Sequence, residues 1–413
     1  MERDAECVIV GGGIGGAVLA LALARAGRRV LLLERDAAPP VIARPEILAG
    51  ATMDLFERYG VGEPIRREAA LPLEGLELFE AGGRTRLFTV TQDLLQRARA
   101  RPYSTDPASV RRIVLDAAER TGAVRIHRGV EIEEVVREGS RVVGVRGRTA
   151  QGPAIYRASL TIGDDGADSR IRSSLGISMR RQDFPFDFLG AIIPRPSEQP
   201  ARIGQAWLNL KGVRQGLFAG LFLPIPHERT AVVFIVSPRA AQQMRSGEGG
   251  AFDAAAARLS PLCETPGRLP AFPEAFGYFR RPFGLAARYI DDGAALLGDA
   301  AHPMTPAGGQ GANSSVADAA VLSEVAVEAL GRGDCSAARL ARYERARRPA
   351  NQRSLQFSRR PCQIFRLLQA APWLAPLLHG FLHFVDDRES LKIRFMAGVS
   401  GAFTSQGNPP CMR

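Results

Sequence analysis

The sequence contains three glycines whose spacing could hold a phosphate group. Gly11, Gly13 and Gly16 form the pattern GxGxxG between the apolar run at 6–10 and an Ala/Leu-rich segment at 14–26. The first glycine permits a tight turn, the second lets a pyrophosphate approach the backbone, and the third allows close packing of the following helix. The pattern predicts a dinucleotide-binding turn between a strand and a helix.

An acidic residue stands where such a turn requires a partner for the ribose. Glu34 ends the second apolar run, RVLLLE, and Arg35 follows it. The fingerprint expects an acidic residue about 20 positions after the glycines, because its carboxylate accepts hydrogen bonds from the ribose hydroxyls. The helix N-terminus at Ile14 and Gly15 would face the phosphates. These residues together predict a βαβ unit that binds a dinucleotide.

FAD and NAD share this fingerprint, and two later segments distinguish between them. These are GDDGADSRIR at 163–172 and LLGDAAHPMTPAGGQGAN at 296–313. With the glycine turn, they resemble the FAD-dependent group A monooxygenases, the para-hydroxybenzoate hydroxylase-like family, in which GxGxxG, a DG segment and a GD segment follow in this order. The resemblance implies that the cofactor is FAD and that NADPH or NADH is the electron donor.

The resemblance also implies roles for individual residues. Asp299 would bind the flavin ribitol, and the loop from Pro306 to Gly311 would lie along the isoalloxazine ring. Asp165 belongs to the DG segment, which the family uses for FAD and nicotinamide. Arg44 would lie near the FAD phosphates, and Arg111 falls slightly later than the family's second arginine. The predicted cofactor-binding residues are Gly11, Gly13, Ile14, Gly15, Gly16, Glu34, Arg35, Arg44, Arg111, Asp165, Asp299, Pro306, Gly309, Gln310, Gly311, Ala312 and Asn313.

The physical chemistry of the flavin loop agrees with this assignment. Gly308, Gly309 and Gly311 remove side chains where backbone must approach a flat ring. The helix predicted after them would aim its positive end at the ring, which carries negative charge when reduced. We expect His302, inside the same motif, to be packed or hydrogen-bonded, and the sequence identifies no catalytic base.

The reaction implied by the resemblance is a hydroxylation. NADPH or NADH reduces FAD, dioxygen adds to form a flavin C4a-hydroperoxide, and its distal oxygen attacks an electron-rich ring. An olefin or ring epoxidase would share every motif, and a non-catalytic FAD-binding protein is the alternative from another class. The apolar sheet segments and tail predict a lipophilic aromatic substrate: a phenol, quinol or quinolone. The predicted substrate contacts are Trp207, Phe218, Phe222, Pro224, Phe234 and Pro306.

The elements that must position these residues suggest an α/β fold. We expect a Rossmann-type FAD-binding domain, an antiparallel β-sheet substrate domain built from two insertions, and a C-terminal helical tail. The segment AIYRASLTIG is expected to form one strand, and prolines are expected to punctuate the helices after 337. The predicted FAD-binding domain comprises 1–70, 101–183 and 285–360, the sheet domain 71–100 and 184–284, and the tail 361–413.

Composition narrows the class of protein further. The net charge is +11, but lysine occurs only at positions 211 and 392, and the arginines form no basic block. A solvated surface therefore explains the charge better than a nucleic-acid partner. The five cysteines lack the spacing of a zinc site or disulfide framework, and the acidic N-terminus lacks the features of a signal peptide. We expect a cytoplasmic enzyme without a metal, with peripheral membrane contact through the apolar tail at 370–384 as an open alternative.

Overall fold

The computed structural model describes residues 5–38, 46–83, 85–183, 186–210, 216–245, 249–265, 269, 276–279, 282–306 and 308–401. Its helices are α1 (Ile14–Arg25), α2 (Gly50–Arg58), α3 (Gly62–Glu68), α4 (Gln92–Arg97), α5 (Pro107–Glu119), α6 (Arg170–Ser174), α7 (Pro238–Arg245), α8 (Gly249–Leu259), α9 (Gly311–Gly331), α10 (Ala337–Ala370), α11 (Ala375–Asp386) and α12 (Glu389–Gly401). Its strands are β1 (Cys7–Val10), β2 (Val30–Glu34), β3 (Glu46–Leu48), β4 (Ala70–Pro72), β5 (Gly75–Glu80), β6 (Arg86–Val90), β7 (Tyr103–Thr105), β8 (Val124–Arg128), β9 (Glu131–Glu138), β10 (Arg141–Thr149), β11 (Gly152–Arg157), β12 (Leu160–Gly163), β13 (Met179–Gln182), β14 (Asp187–Pro194), β15 (Ile203–Leu208), β16 (Leu217–Ile225), β17 (Arg229–Val236), β18 (Gly277–Phe279), β19 (Phe283–Ala286), β20 (Ile290–Asp291) and β21 (Ala294–Leu296).

A six-stranded sheet brings the three sequence motifs to one edge. Its order is β20-β21-β12-β1-β2-β8, and β21, β12, β1, β2 and β8 run parallel. The glycine turn follows β1, the DG segment follows β12, and the GD segment follows β21. Because carboxyl ends of parallel strands meet at the same edge, the three motifs become neighbours there. This part of the fold is the Rossmann-type arrangement.

A seven-stranded sheet is assembled from two separate parts of the chain. Its order is β18-β14-β17-β16-β15-β5-β6, so β5 and β6 come from the earlier part. The described pairings are antiparallel except that of β5 with β15, which is parallel. This exception joins strands that are far apart in sequence, where no hairpin dictates direction. Helix α8 packs on one face, and α10 and α11 pack on the other.

Two elements differ from the expectations of the sequence. The segment AIYRASLTIG is divided between β11, which pairs with β10, and β12, which pairs with β1. Helix α10 continues through Pro349 and Pro361, and the predicted domain boundary after residue 360 lies inside it. Each proline removes only one backbone donor, while buried side chains such as Phe365 keep both halves of the helix packed.

Candidate active site

The glycine turn requires glycine at two positions for steric reasons. Gly11 has φ +101°, and a Cβ added there would lie 2.3 Å from the carbonyl oxygen of Asp164. A Cβ added at Gly16 would lie 2.4 Å from the carbonyl oxygen of Gly11, so helix α1 could not pack against the turn. Gly13 is exposed, and the turn therefore presents bare backbone to solvent. An anion can approach closely at this point, next to the N-terminus of α1.

Glu34 and Arg111 form the wall beside the turn. The Glu34 carboxylate accepts hydrogen bonds from the backbone N–H of Gly12 at 3.1 Å and from Arg111 at 2.6 Å. The Arg111 Nε donates to the Gly12 carbonyl oxygen. Arg111 is buried, and it joins helix α5 to the turn. Glu34 is half-buried, whereas Arg35 is exposed and pairs with Asp36.

Asp164 is a site residue that the sequence analysis did not identify. Its Oδ2 accepts a 2.7 Å hydrogen bond from the backbone N–H of Gly16. Oδ1 approaches Gly298, where an added Cβ would lie 2.8 Å away. Surrounding protein atoms displace water and raise the pKa of this carboxyl well above its usual range, and the charges of Asp299 and Asp165 raise it further. Its position in the sequence, directly after a predicted strand and directly before Asp165, is the signal that could have identified it as a site residue.

The DG and GD segments are fastened together by a buried arginine. Arg172 donates to the carbonyl oxygens of Ala300 and Ala167, each at 2.9 Å. Asp165 Oδ2 accepts from the backbone N–H of Ile171, while its buried Oδ1 has no hydrogen-bond partner within the described residues. Burial raises the pKa of Asp165. Arg170, which the sequence suggested as a source of charge beside Arg172, is exposed.

Asn313 holds the flavin loop against strand β3 and the start of helix α2. Its amide oxygen accepts from the backbone N–H of Ala49 at 2.8 Å and from Thr52 Oγ1 at 2.6 Å. Its amide nitrogen donates to the carbonyl oxygens of Ile47 and Gly309, both at 2.8 Å. The side chain is 2% exposed, so its hydrogen bonds form away from water. Asn313 thereby determines where the backbone of the loop lies.

A buried charged network supports the same loop from behind. His302 Nε2 donates to one carboxylate oxygen of Asp318 on α9. The other oxygen accepts from Arg347 Nε at 2.7 Å and from Asn351 Nδ2 at 3.0 Å, both on α10. Burial alone would raise the pKa of Asp318, but His302 and Arg347 outweigh it and lower the pKa to about 2. His302 therefore has a hydrogen-bonded, buried position in the structure.

The described residues fit FAD. The turn at Gly11 and Gly16 is a cradle that a Cβ would fill, and Asp165 carries a buried oxygen that lacks a hydrogen-bond partner among the described residues. Seven of the predicted contacts are half-buried, so each leaves part of its surface accessible to a cofactor: Ile14, Glu34, Asp299, Pro306, Gly309, Gly311 and Ala312. Gly15 and Gln310 are buried, and Arg44 lies outside the described residues. The described residues contain no group of side chains able to hold a metal ion.

The predicted substrate residues are divided between the two faces of the seven-stranded sheet. Trp207, Phe222 and Phe234 pack with Phe252 of α8 in a filled core. Phe218 lies in the core under α10, with Phe365 at 5.8 Å between ring centroids. Pro224 is buried, and Pro306 is half-buried in the flavin loop. The structure therefore does not bring the three aromatic residues of the α8 face to the flavin loop.

The other face, which we call the inner face, approaches the flavin loop through α10. Thr305 Oγ1 donates to the Ser358 carbonyl oxygen at 2.9 Å. One turn further along α10, Cys362 packs in the same cluster as Leu208 and Ile235 of the inner face. A single stretch of helix thus contacts both the loop and the sheet. The aliphatic residues of this face are not among the predicted substrate contacts, because aromatic side chains were expected to line the site.

Comparisons with known proteins agree with this site. A family model described as an FAD binding domain matches residues 4–358. The ubiquinone hydroxylase UbiL of Rhodospirillum rubrum is 28% identical, over 99% of this chain and 92% of that protein. The 3-demethoxyubiquinol 3-hydroxylase of Escherichia coli is 26% identical, over 85% of this chain and 87% of that protein.

A solved structure extends the agreement to the fold. The p-nitrophenol 4-monooxygenase PnpA of Pseudomonas putida superposes with a TM-score of 0.80, covering 97% of this chain and 99% of that chain at 19% identity. The fold, the three motifs at one sheet edge and the family match support the same assignment. The chain belongs to the family of FAD-dependent aromatic monooxygenases.

Proposed function

We propose that this monooxygenase oxidises an electron-rich, lipophilic aromatic compound, namely a phenol, a quinol or a quinolone. The observation that carries the proposal is a row of residues across the inner face. Gly190, Val233, Leu221, Ala206 and Leu78 are successive cross-strand neighbours on β14, β17, β16, β15 and β5. The row contains no polar side chain. Leu221, Ala206 and Leu78 are only half-buried, so apolar surface is left for a ligand.

The energetics of this face favour an alkyl or prenyl substituent. Each methylene removed from water stabilises a bound complex by about 0.8 kcal/mol, or roughly fourfold in affinity. A charged group placed against the same row would lose its hydration and find no partner there. The face therefore selects against small ionised phenols and for rings that carry apolar groups.

The reacting group is supplied by the cofactor, and the chain positions it. FAD reduced by NADPH or NADH activates dioxygen for transfer of one oxygen atom to the ring. The backbone around Gly309, fastened by Asn313, would hold the flavin, and Gly11 with Glu34 would hold the nucleotide end. The apolar inner face would keep water from the reaction.

Two relatives support the substrate class. They are named as hydroxylases of ubiquinone and of 3-demethoxyubiquinol, and we propose that the substrate of this chain also carries a quinol-type ring.

The cofactor-binding residues predicted from the sequence belong to the same proposal. Cytoplasmic localisation also remains a prediction. No described helix has both the length and the apolarity needed to cross a bilayer.

The test is NAD(P)H oxidation by the purified holoenzyme with a series of para-alkyl phenols and quinols, together with product analysis. We expect kcat/KM to rise about threefold to fourfold with each added methylene until the site is filled. A para-carboxyl phenol should not stimulate oxidation. Stimulation confined to small polar phenols would contradict the proposed substrate class, and a protein unable to bind FAD would contradict the enzyme assignment.

A pair of variants at one position links the result to the inner face. Leu221→Gln keeps the approximate size of the side chain and adds an amide, whereas Leu221→Ala removes volume and stays apolar. We expect Leu221→Gln to lower kcat/KM for the longest alkyl phenol at least tenfold, with unchanged FAD content. Leu221→Ala should cost less. Equal activity of Leu221→Gln and the wild type on every substrate would place the substrate elsewhere.

A further inference from the structure

The C-terminal helices carry most of the exposed large apolar side chains among the described residues. Nine such side chains are exposed in the described part of the chain, and seven of them lie between residues 364 and 395. The other two, Ile155 and Tyr278, lie on β11 and β18, far away in sequence. Contiguous exposed apolar surface on a folded protein commonly marks an interaction site. The seven are Ile364, Leu367, Trp373, Leu377, Phe381, Phe384 and Phe395.

Helix α11 presents these residues as a stripe. We define the C-terminal stripe as Trp373, Leu377, Phe381 and Phe384, whose exposed fractions are 72%, 65%, 59% and 47%. The spacing of three to four residues places Leu377, Phe381 and Phe384 on one side of α11, and Trp373 lies in the short 3-10 turn directly before it. The opposite side of α11, including Leu378 and Leu382, packs into the core beside α10. The stripe is therefore additional to what packing of α11 requires.

Arginines flank the stripe. Arg360, Arg366, Arg388 and Arg394 are exposed, and none of them pairs with a carboxylate of the described residues. The Arg388 guanidinium lies over the Phe384 ring, 3.6 Å from its centroid. Of the nearby acidic residues, Asp386 and Glu389 are engaged elsewhere, whereas Asp387 is exposed and forms no ion pair within the described residues.

Two of these acidic residues have identified partners. Asp386 accepts from the Thr89 backbone N–H and from Lys392, and Glu389 pairs with Arg97. The four arginines outnumber Asp387, the nearby carboxylate without an ion pair in the described residues, so a net positive charge is available to a partner of opposite sign. A partner for this surface must offer both apolar and anionic groups.

We infer that the C-terminal stripe docks on the surface of an anionic lipid bilayer. Tryptophan, phenylalanine and leucine enter the boundary between headgroups and acyl chains, and arginines bind the anionic headgroups. Each arginine near such a surface contributes roughly a fivefold gain in binding. A second copy of the chain is a poorer occupant, because it would bring two sets of unpaired arginines together. Docking goes beyond the proposed substrate class and does not depend on it.

The chain provides its own probe for the experiment. Its two tryptophans differ sharply, since Trp207 is 4% exposed and Trp373 is 72% exposed. We would mix holoenzyme with two kinds of vesicle. One contains phosphatidylcholine alone, and the other contains in addition about 30% phosphatidylglycerol, which makes its surface strongly anionic. Co-sedimentation and the tryptophan emission spectrum would both be recorded. We expect binding to the anionic vesicles, with a blue shift of the Trp373 emission.

Variants identify the surface that binds. Trp373→Ala with Phe381→Ala should weaken vesicle binding about tenfold or more for each ring removed, because large apolar side chains leave the lipid. Arg366→Glu with Arg394→Glu should weaken binding to anionic vesicles, and the binding that remains should weaken less when salt is added than binding of the wild type does, because less electrostatic attraction is left to screen. Ile155→Ala with Tyr278→Ala is the matched control and should bind as the wild type does. Oxidation of a detergent-dispersed phenol should be unchanged in all variants, which separates docking from the proposed function.

Three results would overturn the inference. The first is absence of binding to both kinds of vesicle. The second is binding that the Trp373 and Phe381 substitutions leave unchanged. The third is a dimer in light scattering that these substitutions dissociate without any vesicle binding, since a second copy would then cover the stripe.

Discussion

Substitution of Asp318 by Asn tests whether the buried network supports the flavin loop. The carboxylate is fully buried, and it accepts from His302, Arg347 and Asn351. Asn has nearly the same shape, but its amide nitrogen would face one of these donors, and the Arg347 charge would lose its counterion. The variant isolates the charge of one side chain at nearly constant volume.

The expected magnitude follows from two estimates. The pKa of Asp318 is about 2, against an ordinary value of 3.8, which corresponds to roughly 2 kcal/mol of stability at neutral pH. Removal of one partner from a buried ion pair costs about 3–5 kcal/mol, because the other charge is left uncompensated. We expect the free energy of unfolding to fall by about 2–5 kcal/mol and FAD to dissociate faster.

The pH dependence has a definite sign. A carboxyl whose pKa is lowered in the folded state stabilises that state above its unfolded pKa, and the contribution is lost as pH falls through the folded pKa. The contribution of the Asp318 carboxyl to the stability difference between wild type and Asp318→Asn should therefore be constant from pH 7 to about pH 5. It should shrink between about pH 4 and pH 2. Carboxylates that do not interact with position 318 contribute equally to both proteins, so they cancel in the difference.

The assay is urea denaturation of the apo-protein at several pH values, followed by circular dichroism. Glu328→Gln is the control, because Glu328 pairs with Arg332, Arg339 and Arg342 at the surface and should cost less than about 1 kcal/mol. If Asp318→Asn costs no more than this control, or if its cost is independent of pH down to pH 3, the reasoning is refuted.

Two further substitutions test the cofactor site by FAD titration. Gly11→Ala should abolish detectable FAD binding, since the new methyl group would meet the Asp164 backbone at 2.3 Å. Gly27→Ala is the control: Gly27 also has a positive φ, +73°, but an added Cβ would meet open space, so this variant measures the cost of the backbone angle alone and should retain FAD. Asn313→Ala should weaken FAD binding at least tenfold, because four buried hydrogen bonds are lost at about 1 kcal/mol or more each, whereas wild-type affinity would show that the loop is held by other contacts.

The meeting of the three motifs could be predicted because it follows from strand direction alone. Each motif comes directly after a short apolar strand, and parallel strands bring such ends to one edge. The sequence could not show that Asp164 turns its side chain onto Gly16, since adjacent residues after a strand can point either way. It also could not show the contact of Asp318 with Arg347, which depends on how α9 and α10 pack across 29 positions.

The placement of the aromatic residues shows a different limit. Alternation along strands could indicate that Phe222 and Leu221 lie on opposite faces, but not which face α8 covers. Large aromatic side chains fill a permanent core well, whereas a face that must admit a ligand retains smaller, less buried side chains. Three of the four aromatic residues predicted to contact substrate therefore lie on the filled face, and Phe218 is the exception. The half-buried Leu221 and Ala206 are the residues that the structure leaves available.

Helix α11 connects the two proposals through its opposite sides. Its inward residues, Leu378 and Leu382, pack against the same buried cluster as Leu208 and Ile235. Leu208 and Ile235 lie in the sheet row next to the one that crosses Leu221. Its outward residues form the C-terminal stripe. One helix about 10 Å thick therefore lies between the surface proposed to meet lipid and the apolar face proposed to meet substrate. A lipophilic ring that leaves the bilayer beside α11 would avoid exposure to bulk water for most of that distance, which explains why a long apolar substituent and a docking stripe would occur in the same enzyme.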